Sequence, residues 1–138
     1  MIALDTNVLA RYFIASSDVP SQKQSMAAQK LLESGKALFV SKTVILELEW
    51  VLRGYYKSPP EDVSAVLEHL LAMSHVDIED RPAVELAAAA LADGFDFADA
   101  LHHASARQCT SMATFDDKKF ARRAIAKGWK PPVKLLAL

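Results

Sequence analysis

The chain has 138 residues, with 16 lysines and arginines against 17 aspartates and glutamates, and a single cysteine. Half of it (51%) is hydrophobic and only four residues are glycine, which excludes disordered, collagen-like and linker-like classes. A formal net charge of -1 argues against a broadly basic nucleic-acid coat, and the lone Cys109 excludes an intrachain disulfide.

One domain over residues 1–138 is the expectation at this length. Residues 1–14 look apolar, but Asp5 and Arg11 interrupt them and no basic segment precedes them. No run approaches the ~18–20 apolar residues of a membrane span. A soluble, cytoplasmic protein without a membrane partner is expected.

In chain order, Met1 to Leu4 is an apolar run suited to a buried strand, and Asp5-Thr6-Asn7 supplies cap-forming residues for a helix from Val8. Ser16 to Ser21 reads as a loop. Met26, Ala27, Leu31 and Leu32 follow helical spacing up to a Gly35 stop, and Ala37 to Val40 is a second strand. Ser41 caps a helix to about Tyr56. Ser58-Pro59-Pro60-Glu61-Asp62 starts another, with Val63, Val66, Leu67, Leu70 and Leu71 as its apolar stripe. Val76 to Ile78 is a short strand, and Asp80 and Pro82 open an alanine-rich helix that stops at Gly94. Asp96 opens the next, to about Gln108. Ser111 to Thr114 is a strand ending at Phe115-Asp116-Asp117. A basic helix to Lys127 follows, and Val133 to Leu138 forms an edge strand. Strands alternating with helices predict an α/β fold with a mostly parallel sheet.

The acids fall in telling places. Asp5 and Asp116 each follow an apolar strand, and open α/β sheets bind ligands at the carboxyl ends of their strands. Helix capping explains the same positions equally well. On the helix after Ser41, Glu49 lies four residues before Arg53, the spacing of a solvated ion pair worth about 0.3–0.5 kcal/mol. Glu47 falls on the side of Val44, Trp50, Val51 and Gly54, where a carboxylate needs a cation or an escape to water. Asp96 and Asp99 have capping-box spacing. Gathered at one sheet edge, four carboxylates would repel by up to ~4 kcal/mol per pair at 4 Å. A divalent cation would relieve that repulsion, and all-oxygen ligands favour Mg²⁺ or Mn²⁺ over Zn²⁺.

These segments resemble the motifs of the PIN-domain ribonucleases, and among them the VapC-type toxins of bacterial toxin–antitoxin pairs. Ile2-Ala3-Leu4-Asp5-Thr6-Asn7-Val8-Leu9 resembles the family's strand-end aspartate motif, and Leu46-Glu47-Leu48-Glu49-Trp50-Val51-Leu52 its glutamate helix. Phe95-Asp96-Phe97-Ala98-Asp99-Ala100-Leu101 and Thr114-Phe115-Asp116 resemble its third and fourth acidic motifs. The resemblance implies a three-layer fold with a central, short-stranded, mostly parallel sheet flanked by α-helices. It implies Asp5, Glu47, Asp99 and Asp116 as catalytic metal ligands for Mg²⁺, with Mn²⁺ as substitute. Around them it implies Thr6, Asn7, Asp96 and Thr114 as orienting residues, with Asp117 as the competitor of Asp116. The implied activity is metal-dependent endonucleolytic cleavage of RNA, the implied partners a cognate antitoxin and a second copy of the chain.

Arg11, about two helical turns beyond Asp5, and Lys118, Lys119, Arg122 and Arg123 after Asp116 are candidate phosphate contacts. In a helix, Lys118 would stack on Arg122 and Lys119 on Arg123. A solvated basic face is the plainer account. Adjacent His102 and His103 cannot form one paired site; one is expected to be packed and one exposed. Cys109 is expected in the core. Trp50, Tyr55 and Tyr56 could present a stacking surface to RNA or a partner, but helix packing is the plainer account, and Trp50 is expected in the core or a subunit interface. Phe13, Ile14, Trp50, Tyr55 and Tyr56 are candidates for an apolar partner patch. Two rival functions are another metal-dependent phosphohydrolase and a non-catalytic protein-binding module on a PIN-like fold. The phosphohydrolase usually wants a second aspartate where Asn7 stands, and it leaves Glu47 unexplained.

Overall fold

Each apolar run read as a strand forms one, and none is longer than three residues in the computed structural model, which describes residues 1–138. The chain folds as two compact units, Met1–Arg81 and Pro82–Leu138. In the first, β1 (Ile2–Ala3), β2 (Leu38–Val40) and β3 (Val76–Ile78) make a sheet in the order β1-β2-β3. In the second, β4 (Met112–Thr114) pairs with β5 (Val133–Leu135). Every pairing is parallel, with Ile2 opposite Leu38, Leu38 opposite Val76 and Met112 opposite Val133. Parallel strands need crossovers, and the intervening segments are helical, so the fold is α/β.

The helices of the first unit are α1 (Thr6–Phe13), α2 (Val19–Leu32), α3 (Lys42–Trp50) and α4 (Pro60–Ala72). Leu9, Leu32, Leu38, Ile45 and Leu70 are wholly buried and fill the core between helices and sheet. In the second unit, α5 (Arg81–Ala92, whose first residue closes the first unit), α6 (Phe97–Ser105) and α7 (Arg122–Ala126) surround β4 and β5. Phe120, Ala121, Ala124 and Val133 form a core there, closed by Met112 and Trp129. Gly94 ends the α5 segment at φ +91°, a left-handed conformation in which a side chain is strained.

Several expectations are corrected. The loop expected over Ser16–Ser21 is cut short, because the Asp18 carboxylate accepts the Ser21 N–H and α2 starts at Val19 with Pro20 in its first turn. Met26 lies on the exposed side of that helix, and Ala28 and Leu32 are the buried residues. The helix after Ser41 ends in a π-turn, Val51–Tyr55, in which the Tyr56 N–H bonds the Val51 carbonyl.

The buried stripe of α3 runs through Ile45, Leu48 and Glu49 to Leu52, rather than along Val44, Trp50 and Val51. Spacing of three and four residues between Ile45, Leu48, Glu49 and Leu52 defines that face. Glu49 is therefore buried, not solvated. Arg53 covers it with Nε at 2.8 Å from Oε2 and Nη2 at 3.4 Å from Oε1. Trp50, expected in the core or an interface, has 58% of its surface exposed on the opposite side. Cys109, also expected in the core, is exposed beyond the end of α6. His103 is packed and His102 exposed, as expected of neighbours on one helix. No helix is long and apolar enough to cross a membrane.

Leu48→Ala should therefore cost about 2–5 kcal/mol in urea unfolding. Trp50→Ala, two residues on, should change stability by roughly 0.5 kcal/mol or less. Comparable losses for the two would contradict this assignment of the buried face.

Candidate functional site

In the first unit, the chain leaves β1 through buried Leu4 and turns into α1 at Asp5. Asp5 is extended and exposed, and its Oδ1 accepts the Thr6 N–H at 2.8 Å. Thr6 is buried, and its hydroxyl donates to Oε1 of Glu47 on α3, 41 residues away. Glu47 itself is exposed. Asp5, Thr6 and Glu47 thus form one connected group, with exposed Asn7 beside them in sequence.

Arg11 is anchored by Nε donating to Oε1 of Gln24 at 2.8 Å, and its Nη1 lies 3.5 Å from the Tyr56 hydroxyl. A cavity of about 370 Å³ between α1 and α2 is lined by Asp5, Asn7, Val8, Arg11, Gln24, Ala27, Ala28 and Leu31. It has a carboxylate, two carboxamides and a guanidinium over an apolar floor. Gln24 escaped the sequence reading because nothing in its neighbourhood signals a contact with Arg11, 13 residues earlier.

In the second unit, Asp96 caps α6 by accepting the Asp99 N–H at 2.9 Å. Asp99 is half-buried, and its carboxyl is pushed above the usual carboxylate range. Desolvation is the largest cause, followed by the like charges of Asp96 and then Asp116, with His102 partly opposing them. The Thr114 hydroxyl accepts the Asp116 N–H at 3.0 Å, and Asp116 accepts the Lys119 N–H at 3.1 Å. Asp99 and Asp116 are thus close enough to repel, and Thr114 orients the backbone at Asp116.

The neighbouring Asp117 is paired with Arg122 at 2.9 Å. A π-turn over Asp117–Ala121 makes that five-residue spacing possible and breaks the four-residue stacking expected of the basic residues. Arg123 turns away to donate to the carbonyls of Gly94 (2.9 Å) and Asp93 (3.3 Å), and its guanidinium lies 4.3 Å from the Phe95 ring centre. Lys118 and Lys119 remain exposed. His103 is taken up by Pro131, its Nε2 donating to that carbonyl at 2.7 Å.

Each strand-end aspartate therefore has a second acid associated with it in its own unit, Glu47 with Asp5 and Asp99 with Asp116. Within either unit, no group of three or more His, Cys, Asp or Glu side chains is gathered to hold a metal ion. The donors are all carboxylate oxygens, the chemistry that suits Mg²⁺ or Mn²⁺. Within its own unit, none of the four is ion-paired to a lysine or arginine, whereas Glu49, Asp80, Asp93 and Asp117 all are.

Strand-end acids on a parallel α/β fold define a class, and comparison with protein families bears on which. The model of the PIN domain matches residues 2–126, and the chain belongs to the PIN-domain family. No curated protein and no solved structure gives a significant match.

A raised carboxyl pKa means that folding favours protonated Asp99. The stabilising contribution is present below the ordinary value of 3.8 and is lost as pH rises through the raised one. At neutral pH, Asp99→Asn should therefore raise the melting temperature, with the gain shrinking as pH falls into the carboxylate range. A melting temperature that drops, or a gain independent of pH, would contradict the repulsion.

Proposed function

We propose that this PIN-domain protein is a metal-dependent endoribonuclease, the toxin of a type II toxin–antitoxin pair of the VapC kind. The observation that carries the proposal is the grouping of the acids in each unit: Asp5 and Glu47 are joined through Thr6, and Asp99 lies within repulsion of Asp116. None of these four is ion-paired to a lysine or arginine in its own unit, whereas Glu49, Asp80, Asp93 and Asp117 are. Holding Asp99 and Asp116 within mutual repulsion is unfavourable for folding, and an ion from outside would reverse the sign of that cost.

In this proposal Asp5 and Glu47 of the first unit, and Asp99 and Asp116 of the second, would each be ligands for Mg²⁺, with Mn²⁺ as substitute. The ion supplies activation of water and screening of charge on the phosphate. The chain's own residues do the positioning. Thr6 fixes one oxygen of Glu47, the α1 N-terminus fixes one oxygen of Asp5, and Thr114 sets the backbone before Asp116. Asp96, bonded to the Asp99 N–H, sets the start of α6 and adds negative charge. Arg11, Lys118 and Lys119 are the cations for the RNA backbone. Arg122 and Arg123 are already engaged with Asp117 and with backbone carbonyls. The proposal extends to a cytoplasmic homodimer held inactive by an antitoxin.

Cleavage of single-stranded RNA should fall to background in Asp5→Asn protein and in EDTA, and return when Mg²⁺ or Mn²⁺ is added to the wild type. Cleavage that persists in both conditions would remove the metal mechanism. Thr6→Val removes the donor to Glu47 and should weaken Mg²⁺ binding by about 10–100-fold in calorimetric titration. Unchanged affinity would show that Glu47 acts without Thr6.

A further inference from the structure

We propose that Trp50 and Tyr55 form a stacking platform for unpaired bases of single-stranded RNA; this rests on the ribonuclease reading and gives its substrate class. Trp50 follows Glu47 by three residues, so the two occupy the same side of α3, one turn apart. The indole lies along the helix surface at Gly54. A Cβ built on that glycine would be 3.5 Å from Trp50 Cε2 and 3.8 Å from Cδ2 and Cζ2. Part of the ring thus lies against the backbone at Gly54, and the residue as a whole is 58% exposed.

Tyr55 is 73% exposed and is held edge-to-face on Tyr56, with ring centres 5.0 Å apart at 85°. The Tyr56 hydroxyl in turn lies 3.5 Å from Arg11, which also lines the cavity beside Asp5. Exposed Lys57 follows directly. Outward aromatic faces flanked by cations are the parts of a single-strand site, since bases stack without regard to sequence and the cations meet the phosphates. The large exposed apolar residues over 42–57 are both aromatic, and Ile45, Leu48 and Leu52 are buried.

The test uses the full chain in EDTA, so that binding is read without cleavage. Single-stranded RNA should quench the emission of wild-type protein but not of Trp50→Phe, and a duplex of the same sequence should quench neither. Replacing Trp50 and Tyr55 together by alanine should weaken single-strand affinity by about five- to hundredfold. Replacement by phenylalanine should retain most affinity. Replacement by leucine, which keeps apolar bulk without a planar face, should behave like alanine. Leucine variants that bind normally, an alanine variant that binds normally, or alanine-induced loss of self-association with RNA affinity intact would each overturn the platform. If the alanine variant binds and cuts single strands normally while Asp5→Asn does not cut, the platform falls and the ribonuclease stands. If wild-type protein binds through the platform but cuts nothing, the ribonuclease falls and the platform stands.

Discussion

The hydrogen bond from the buried Thr6 hydroxyl to the Glu47 carboxylate organises the first unit. Thr6 is the first residue of α1, immediately after the turn out of β1, and Glu47 is the sixth residue of α3. One contact therefore fixes how a strand-end loop meets a helix 41 residues later. It also resolves the position of Glu47, whose carboxylate is oriented by a neutral hydroxyl instead of being neutralised by a guanidinium. A hydroxyl donor brings no positive charge of its own, so Glu47 stays available to a cation.

Glu49, two residues on, solves the opposite problem. Residues two apart on a helix point roughly 200° from one another. One glutamate must therefore face inward if the other faces out. Glu49 is the inward one, in the stripe of Ile45, Leu48 and Leu52, and a charge there needs its partner at short range. Arg53 provides it one turn later. The second unit divides its acids in the same way. Asp117 takes Arg122, while Asp99, half-buried beside Asp96 and Asp116, is pushed toward protonation. Near-equal numbers of basic and acidic residues thus do not give each acid a cation of its own.

Much of the fold was legible because short apolar runs alternate with helical periods, and parallel pairing follows from that alternation. Asp5, Asp96 and Asp116 were legible as cap residues because capping is local, set by the residue and the two or three that follow it. The orientation of α3 was not. Val44, Trp50 and Val51 look as apolar as Ile45, Leu48 and Leu52, and assigning Glu49 to water selected the wrong stripe. The Thr6–Glu47 and Arg11–Gln24 contacts depend on how helices pack, which no local spacing encodes. The π-turns were hidden for a related reason. They change the residue count of a turn by one without a composition that marks them, which is why Arg122 meets Asp117 and not the charge-stacked position four residues before it.

The π-turn at Val51–Tyr55 follows directly on α3, contains Arg53, and ends with the Tyr56 N–H on the Val51 carbonyl. A wider turn brings residues four and five apart onto one side. Gly54, four residues after Trp50, lies against its ring, and Tyr55 and Tyr56 follow edge-to-face on one another. Tyr56 then reaches Arg11, which belongs to the helix begun at Asp5. The acid group and the aromatic face are therefore linked twice, along α3 through Glu47 and Trp50 and across α1 through Arg11 and Tyr56. The turn thus lies between the residues that make these two links, and its Arg53 covers Glu49.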